Sequence, residues 1–114
     1  MKVFIYFNLH KKCWSVKALE GENKGKVIQH CDNFELVDVT FKVSQAGRER
    51  VLREKRKNVH AGVVGYLSPI TIQSGEKVTY NPYLYDSFVY SDTKKPINTA
   101  KYCFSKGKEI FVVI

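Results

Sequence analysis

The segment RERVLREKRK at residues 48–57 concentrates the positive charge of this chain. It holds six basic and two acidic residues, and so carries half of the net charge of +8. Four of the six basic residues are arginines, whose planar guanidinium groups form paired hydrogen bonds with phosphate oxygens. A clustered positive field attracts phosphates, whereas dispersed charge mainly keeps a protein soluble. The segment therefore predicts a contact surface for an anionic ligand, and the alternative is a solvated helix surface that binds nothing.

Four of the seven tyrosines lie in the segment VTYNPYLYDSFVYS, at residues 78–91. Tyr83 and Tyr85 alternate, so an extended backbone would point both rings to the same side. Exposed aromatic rings near arginines can stack on nucleic-acid bases. The alternative is that the rings close one end of the core and leave their hydroxyl groups in water. The predicted ligand-binding residues are Arg48, Arg50, Arg53, Arg56, Lys57, His60, Tyr80, Tyr83 and Tyr85.

Two of the three histidines lie beside basic residues and could form an acid–base pair. His10 precedes two lysines, and His60 follows the segment 48–57. Such a pair could cleave RNA without a metal, with one histidine as base, the other as acid and a cation to stabilise the transition state. Nothing in the sequence brings the two histidines together. A metal-independent ribonuclease with His10 and His60 as catalytic residues is therefore an alternative hypothesis.

No metal site and no cofactor is predicted. His30 and Cys31 are adjacent, and neighbours on a strand point to opposite faces, which makes a shared tetrahedral zinc site awkward. The acidic residues form no tight cluster along the sequence, so a two-metal nuclease is not expected. The sequence also contains no glycine-rich phosphate loop and no G-x-S-x-G motif.

The composition predicts one folded domain over residues 1–114, since 44% of the residues are hydrophobic. No apolar run approaches the roughly 18 residues of a membrane span, and the start MKVFIYFNLH alternates like a strand rather than a signal peptide. Three cysteines (Cys13, Cys31 and Cys103) cannot all pair with one another, which favours free thiols in a reducing compartment. We therefore expect a cytoplasmic protein with no membrane partner.

Short segments rich in valine, isoleucine, phenylalanine and tyrosine recur along the chain, separated by turn-forming residues. Their length and spacing predict mainly antiparallel strands. The segments are KVFIYFNL, CWSVKAL, KVIQHC, FELVDVTFKV, VHAGVVGYL, EKVTY, SFVYS, AKYCFS and EIFVVI. One stretch differs, because Ser44 is a good N-cap and strong helix formers follow it. The predicted fold is α+β, a mostly antiparallel β-sheet or small partly closed barrel with one short helix at about residues 44–56.

Three stretches of the sequence resemble a group of small phage-encoded proteins: FNLHKKCWSVKALEG, VTFKVSQAGRERVLREKRKNVHAGVVG and VTYNPYLYDSFVYSDTKKP. The block RERVLREKRKNVHA is the most specific part of this resemblance. The resemblance implies expression in the cytoplasm of an infected bacterium, and it carries over no catalytic residue. A small phage protein of this group is similar in kind to proteins that counter host defences. Such proteins sequester a nucleotide signal, bind nucleic acid or bind a host protein.

Three functions remain open from the sequence. The first is a phage accessory protein that binds a phosphate-bearing ligand, either nucleic acid or a small nucleotide. The second is the metal-independent ribonuclease. The third is an inhibitor whose basic helix docks on an acidic surface of a host protein.

Overall fold

The computed structural model describes residues 1–68 and 70–114, and this part of the chain contains nine strands and one helix. Helix α1 (Gln45–Glu54) lies in the sequence between the fourth and fifth strands. Each of the nine segments predicted from the sequence corresponds to one strand, so the prediction of short strands is confirmed. The strands are β1 (Lys2–Asn8), β2 (Cys13–Ala18), β3 (Val27–Cys31), β4 (Glu35–Val43), β5 (Ala61–Leu67), β6 (Glu76–Thr79), β7 (Val89–Tyr90), β8 (Thr99–Lys106) and β9 (Glu109–Val113).

All nine strands belong to one antiparallel sheet, in the order β3-β2-β1-β5-β4-β8-β9-β6-β7. The α+β class and the mostly antiparallel sheet are thus confirmed. The sheet is not closed into a barrel, because closure needs the edge strands β3 and β7 to pair and they do not pair among the described residues. The described part of β7 is only two residues long and pairs with β6 alone among the strands.

The sheet consists of two halves, each formed by a continuous part of the chain. Strands β1 to β5 occupy one side and strands β6 to β9 the other, and the β4–β8 ladder is where the two halves meet. That ladder pairs Glu35 with Phe104 at one end and Thr40 with Thr99 at the other.

The core lies on one face of the sheet, where alternate side chains of each strand point inward. Val3 and Ile5 of β1 and Val63 of β5 are completely buried on this face. The sheet is strongly curved. This is shown by a hydrogen bond of 2.7 Å, which the indole nitrogen of Trp14 on β2 donates to the carbonyl of Gly107, between β8 and β9. In a flat sheet β2 and β8, four strand intervals apart, would be separated by roughly 19 Å. The core-bearing face is therefore concave.

Helix α1 begins at the predicted N-cap. The Oγ of Ser44 accepts a hydrogen bond of 3.2 Å from the backbone N–H of Gly47. The helix ends earlier than predicted, at Glu54, because Lys55 adopts a left-handed conformation with a φ of 56° and its N–H bonds the carbonyl of Val51. Val51 of the helix is buried. Among the described residues, no helix has the length and apolar character needed to cross a membrane.

Candidate functional site

A cavity of about 620 Å³ opens on the concave face of the sheet. Binding sites for small molecules usually have volumes of about 300–1,000 Å³. Trp14 of β2 and Phe88, which directly precedes β7, line the cavity while being almost fully buried, and Val51 of α1 also contributes to the lining. Phe7 stands edge-on to Trp14, with ring centres 5.2 Å apart. The cavity therefore has an aromatic floor, assembled from both halves of the sheet.

Three lysines and one carboxylate give this cavity a net positive charge. Lys77 of β6 forms an ion pair with Glu109 of β9, with 3.2 Å between Nζ and Oε1. The ammonium of Lys108 lies 5.4 Å from the centre of the Phe7 ring. Lys57, which follows α1, is exposed. Within the described residues, Lys57 and Lys108 have no carboxylate within 4.0 Å, so both ammonium groups are available to an anion.

His60 and Tyr80 form a hydrogen-bonded pair in the cavity wall. The Nδ1 of His60 is 2.9 Å from the carbonyl oxygen of Asn58, and a carbonyl only accepts, so Nδ1 carries the proton. In that tautomer Nε2 is the acceptor, and the hydroxyl of Tyr80 donates a hydrogen bond of 2.7 Å to it. Burial raises the pKa of Tyr80; nearby Arg48 partly offsets this and Asp86 adds to it. Tyr80 therefore remains a neutral donor at physiological pH.

The loop at residues 81–87 is fastened to α1 by polar contacts. The Nε of Arg48 donates hydrogen bonds to the carbonyls of Pro82, at 3.0 Å, and Tyr85, at 2.8 Å. Gln45 adds a bond of 2.9 Å from its side-chain amide to the carbonyl of Asp86. The sequence predicted Arg48 as a phosphate ligand, whereas in the structure its Nε–H holds the loop to the helix.

The backbone of this loop differs from the one predicted for Tyr83 and Tyr85. An extended backbone was expected for Tyr83 and Tyr85, but the carbonyl of Asn81 accepts hydrogen bonds from the N–H groups of Leu84 and Tyr85, so the chain turns. Proline at the second position favours such a turn. Tyr83 is exposed at the cavity, whereas Tyr85 is half-buried and lines a separate hollow beside Arg48. The two rings do not form one stacking surface.

Four of the predicted residues lie together in the cavity, whereas His10 lies elsewhere. Lys57, His60, Tyr80 and Tyr83 line the cavity together. His10 lies in the turn between β1 and β2, is exposed, and donates its backbone N–H to the Oδ1 of Asn8. His10 is not among the residues that line the cavity with His60. The geometry therefore gives no support to the proposed acid–base pair.

Arg50, Arg53 and Arg56 are not among the residues that line the cavity. Arg50 and Arg53 are exposed on the helix, and Arg56 is exposed just after it. In the part of the chain that the structure describes, none of the three forms an ion pair. They remain an unneutralised patch of positive charge on the molecular surface.

Several cavity residues were not predicted from the sequence. Phe7 and Trp14 have the inward alternation of core residues, and Lys108 lies in the turn SKGK, so each looked structural. Only the curvature of the sheet brings Lys108 over Phe7. No three His, Cys, Asp or Glu side chains in residues 1–68 and 70–114 are grouped so that they could hold a metal ion. All three cysteines are free, and Cys103 is buried.

The fold and the cavity define a small α+β protein whose open, curved antiparallel sheet carries a lysine-lined, aromatic hollow on its concave face. The chain belongs to the family described as the Mycobacterium phage L5 gene 82 protein, which matches residues 1–113. It is 45% identical over 104 aligned residues to the gene 82 protein of Mycobacterium phage L5, with 84% of this chain and 82% of the relative covered. The resemblance to small phage-encoded proteins is thus confirmed at the level of the family. No solved structure gives a significant match.

Proposed function

We propose that this phage protein binds a small phosphate-bearing ligand, such as a nucleotide, in the cavity on the concave face. The observation that carries the proposal is the combination of an aromatic floor with two lysines, Lys57 and Lys108, that have no acidic partner among the described residues. Ligand sites are typically apolar hollows with a few well-placed polar groups that fix orientation. A base would lie against the aromatic rings, and the phosphates would lie at the lysines.

The His60–Tyr80 pair supports the same proposal, because it adds a neutral hydrogen-bonding group to the cavity wall. The Nε2 of His60 already accepts a hydrogen bond from the hydroxyl of Tyr80. The oxygen of Tyr80 can still accept a hydrogen bond from an amino or hydroxyl group of a ligand. A ligand of this kind fits the role of a counter-defence protein that removes a nucleotide signal from the infected host. That role is part of the proposal and rests on the ligand being a nucleotide.

The cavity favours a small nucleotide over a long nucleic acid at this position, because a hollow of about 620 Å³ holds one small molecule. The exposed Arg50, Arg53 and Arg56 favour a second candidate, an inhibitor that docks on an acidic host protein. These arginines do not line the cavity. The two functions can therefore be separated by substitution.

The test is a thermal-shift screen of the purified protein with nucleoside mono-, di- and triphosphates and with inorganic phosphate. At a ligand concentration about 100 times Kd, binding adds about 2.7 kcal/mol to the free energy of unfolding, which raises Tm by several degrees. Lys108→Gln removes one ammonium group from the cavity. We expect it to reduce the shift produced by the best nucleotide.

The matched control is Lys106→Gln, which makes the same charge change on the other side of Gly107. Lys106 lies over the Phe111 ring and does not line the cavity. The proposal fails if no nucleotide raises Tm, or if both variants reduce the shift equally. Capture of a host protein that is lost in Arg50→Glu and unchanged in Lys108→Gln would instead favour the inhibitor.

A further inference from the structure

The opposite face of the sheet, which is convex overall, carries a groove of its own. On β1, Phe4 and Tyr6 alternate with the buried Val3 and Ile5, so their rings lie on the face away from the core. A groove of about 510 Å³ runs over these rings; we call it the outer groove. Its lining also includes Lys17, Lys42 and Ser44, and it meets the cavity at Val59 and His60, which line both.

The two rings form a side-by-side aromatic platform. The centres of the Phe4 and Tyr6 rings are 5.9 Å apart, and their planes are tilted by 31°. Gly62 of β5 lets Phe4 lie against the sheet, because a Cβ at that position would be 2.6 Å from Cζ of the ring. Both rings are half-buried, so each keeps part of its surface open to solvent. Rings of this kind can stack on unpaired bases of any sequence.

Basic residues flank the platform on both sides. Lys17 of β2 pairs across the sheet with Phe4, and Lys42 of β4 pairs with Gly62. None of the described residues that line the outer groove is acidic. Ser44 at the end of the groove is the N-cap of α1, and no acidic residue in the first turn offsets the partial positive charge of that helix end. The charge of the groove is thus complementary to a phosphate backbone.

We propose that the outer groove binds single-stranded nucleic acid, with bases on Phe4 and Tyr6 and the phosphate backbone along Lys17 and Lys42. The groove is on the other face of the sheet from the cavity, so this inference goes beyond the proposed small-ligand function and stands independently of it. A duplex does not fit the geometry, because its bases stack on each other and are not free to lie on the two rings.

The test is fluorescence anisotropy with labelled oligothymidine and oligouridine strands of roughly 10 nucleotides, about the length one such surface covers. We expect the wild-type protein to bind with an affinity that falls steeply with salt. Tyr6→Ala weakens binding on the order of tenfold, the loss of one base–ring contact, whereas Tyr6→Phe keeps the ring and the affinity. Lys42→Gln weakens binding and lowers the slope of log affinity against log salt by about 0.7.

The matched control is Lys95→Gln, an exposed lysine of the turn that follows β7 and outside the outer groove, which should leave binding unchanged. The inference is overturned if neither strand binds, if a duplex of the same length binds as tightly, or if Lys42→Gln and Lys95→Gln have equal effects. It is also overturned if Lys108→Gln weakens strand binding and Lys42→Gln does not, since the strand would then occupy the cavity. Because Lys42 is exposed and Tyr6→Phe is conservative, both variants remain informative if Tyr6→Ala does not fold.

Discussion

His60 is one of two residues, with Val59, that line both candidate surfaces. Its ring forms the hydrogen bond with Tyr80 in the cavity wall, and its carbonyl accepts a bond of 2.7 Å from the backbone N–H of Ser44, the N-cap of α1. The sequence identified His60 and Tyr80 as candidates by residue type and by their basic surroundings. It could not pair them, because they are twenty residues apart and belong to separate halves of the sheet.

The His60–Tyr80 hydrogen bond should be measurable by a double-mutant cycle. Tyr80→Phe removes only the hydroxyl and keeps the ring against Phe88, so we expect the free energy of unfolding to fall by about 1 kcal/mol. In a His60→Ala background the same change should cost less, because the partner is already absent. Urea denaturation gives both values. Tyr83→Phe is the control, since no hydrogen bond of its hydroxyl occurs among the described residues; fully additive losses would contradict the pair.

At the scale of elements, the sequence was most informative where the signal is local. Alternating β-branched and aromatic residues marked all nine strands, and Ser44 marked the start of α1. The order of strands in the sheet could not be predicted, because it depends on pairings such as β4 with β8 that link distant parts of the chain. The interpretation of the loop 81–87 was wrong for the same reason. Its turn is held by α1, more than thirty residues earlier.

The contact between α1 and this loop should depend on the shape of the arginine side chain. Arg48→Lys keeps the charge but has no Nε–H placed to reach both carbonyls, so we expect a loss of about 1–2 kcal/mol in the free energy of unfolding. Amide hydrogen exchange in the loop should become faster at the same time. Arg53→Lys, at an exposed position without an ion pair in the described residues, should change neither quantity. Equal behaviour of the two variants would argue against the contact.

At the scale of the whole molecule, buried acids make stability depend on pH in the alkaline range. Burial raises the pKa of the Cys103 thiol, and burial likewise raises the pKa of Tyr80. In the unfolded chain these groups lose their protons near their usual values, about 8.5 and 10. Above those values the unfolded state binds fewer protons than the folded state, so the free energy of unfolding falls as pH rises.

We therefore expect the urea midpoint to be lower at pH 10.5 than at pH 8, without a matching change between pH 7 and pH 8. Cys103→Ala should flatten this alkaline decline, because it removes a buried thiol with a raised pKa. The variant will also lower stability at every pH by leaving a small void, so the slope is the relevant quantity. An unchanged slope would show that the decline arises elsewhere.

The two halves of the sheet meet at the β4–β8 ladder, and both halves contribute residues to the cavity. Phe7, Trp14 and Lys57 come from the first half, whereas Lys77, Tyr80 and Lys108 come from the second, and all six line the cavity. A ligand in the cavity would contact both halves of the sheet at once and would add a link between them beside that ladder. The outer groove is lined by residues of the first half and of the segments that flank α1, so a ligand there would add no such link.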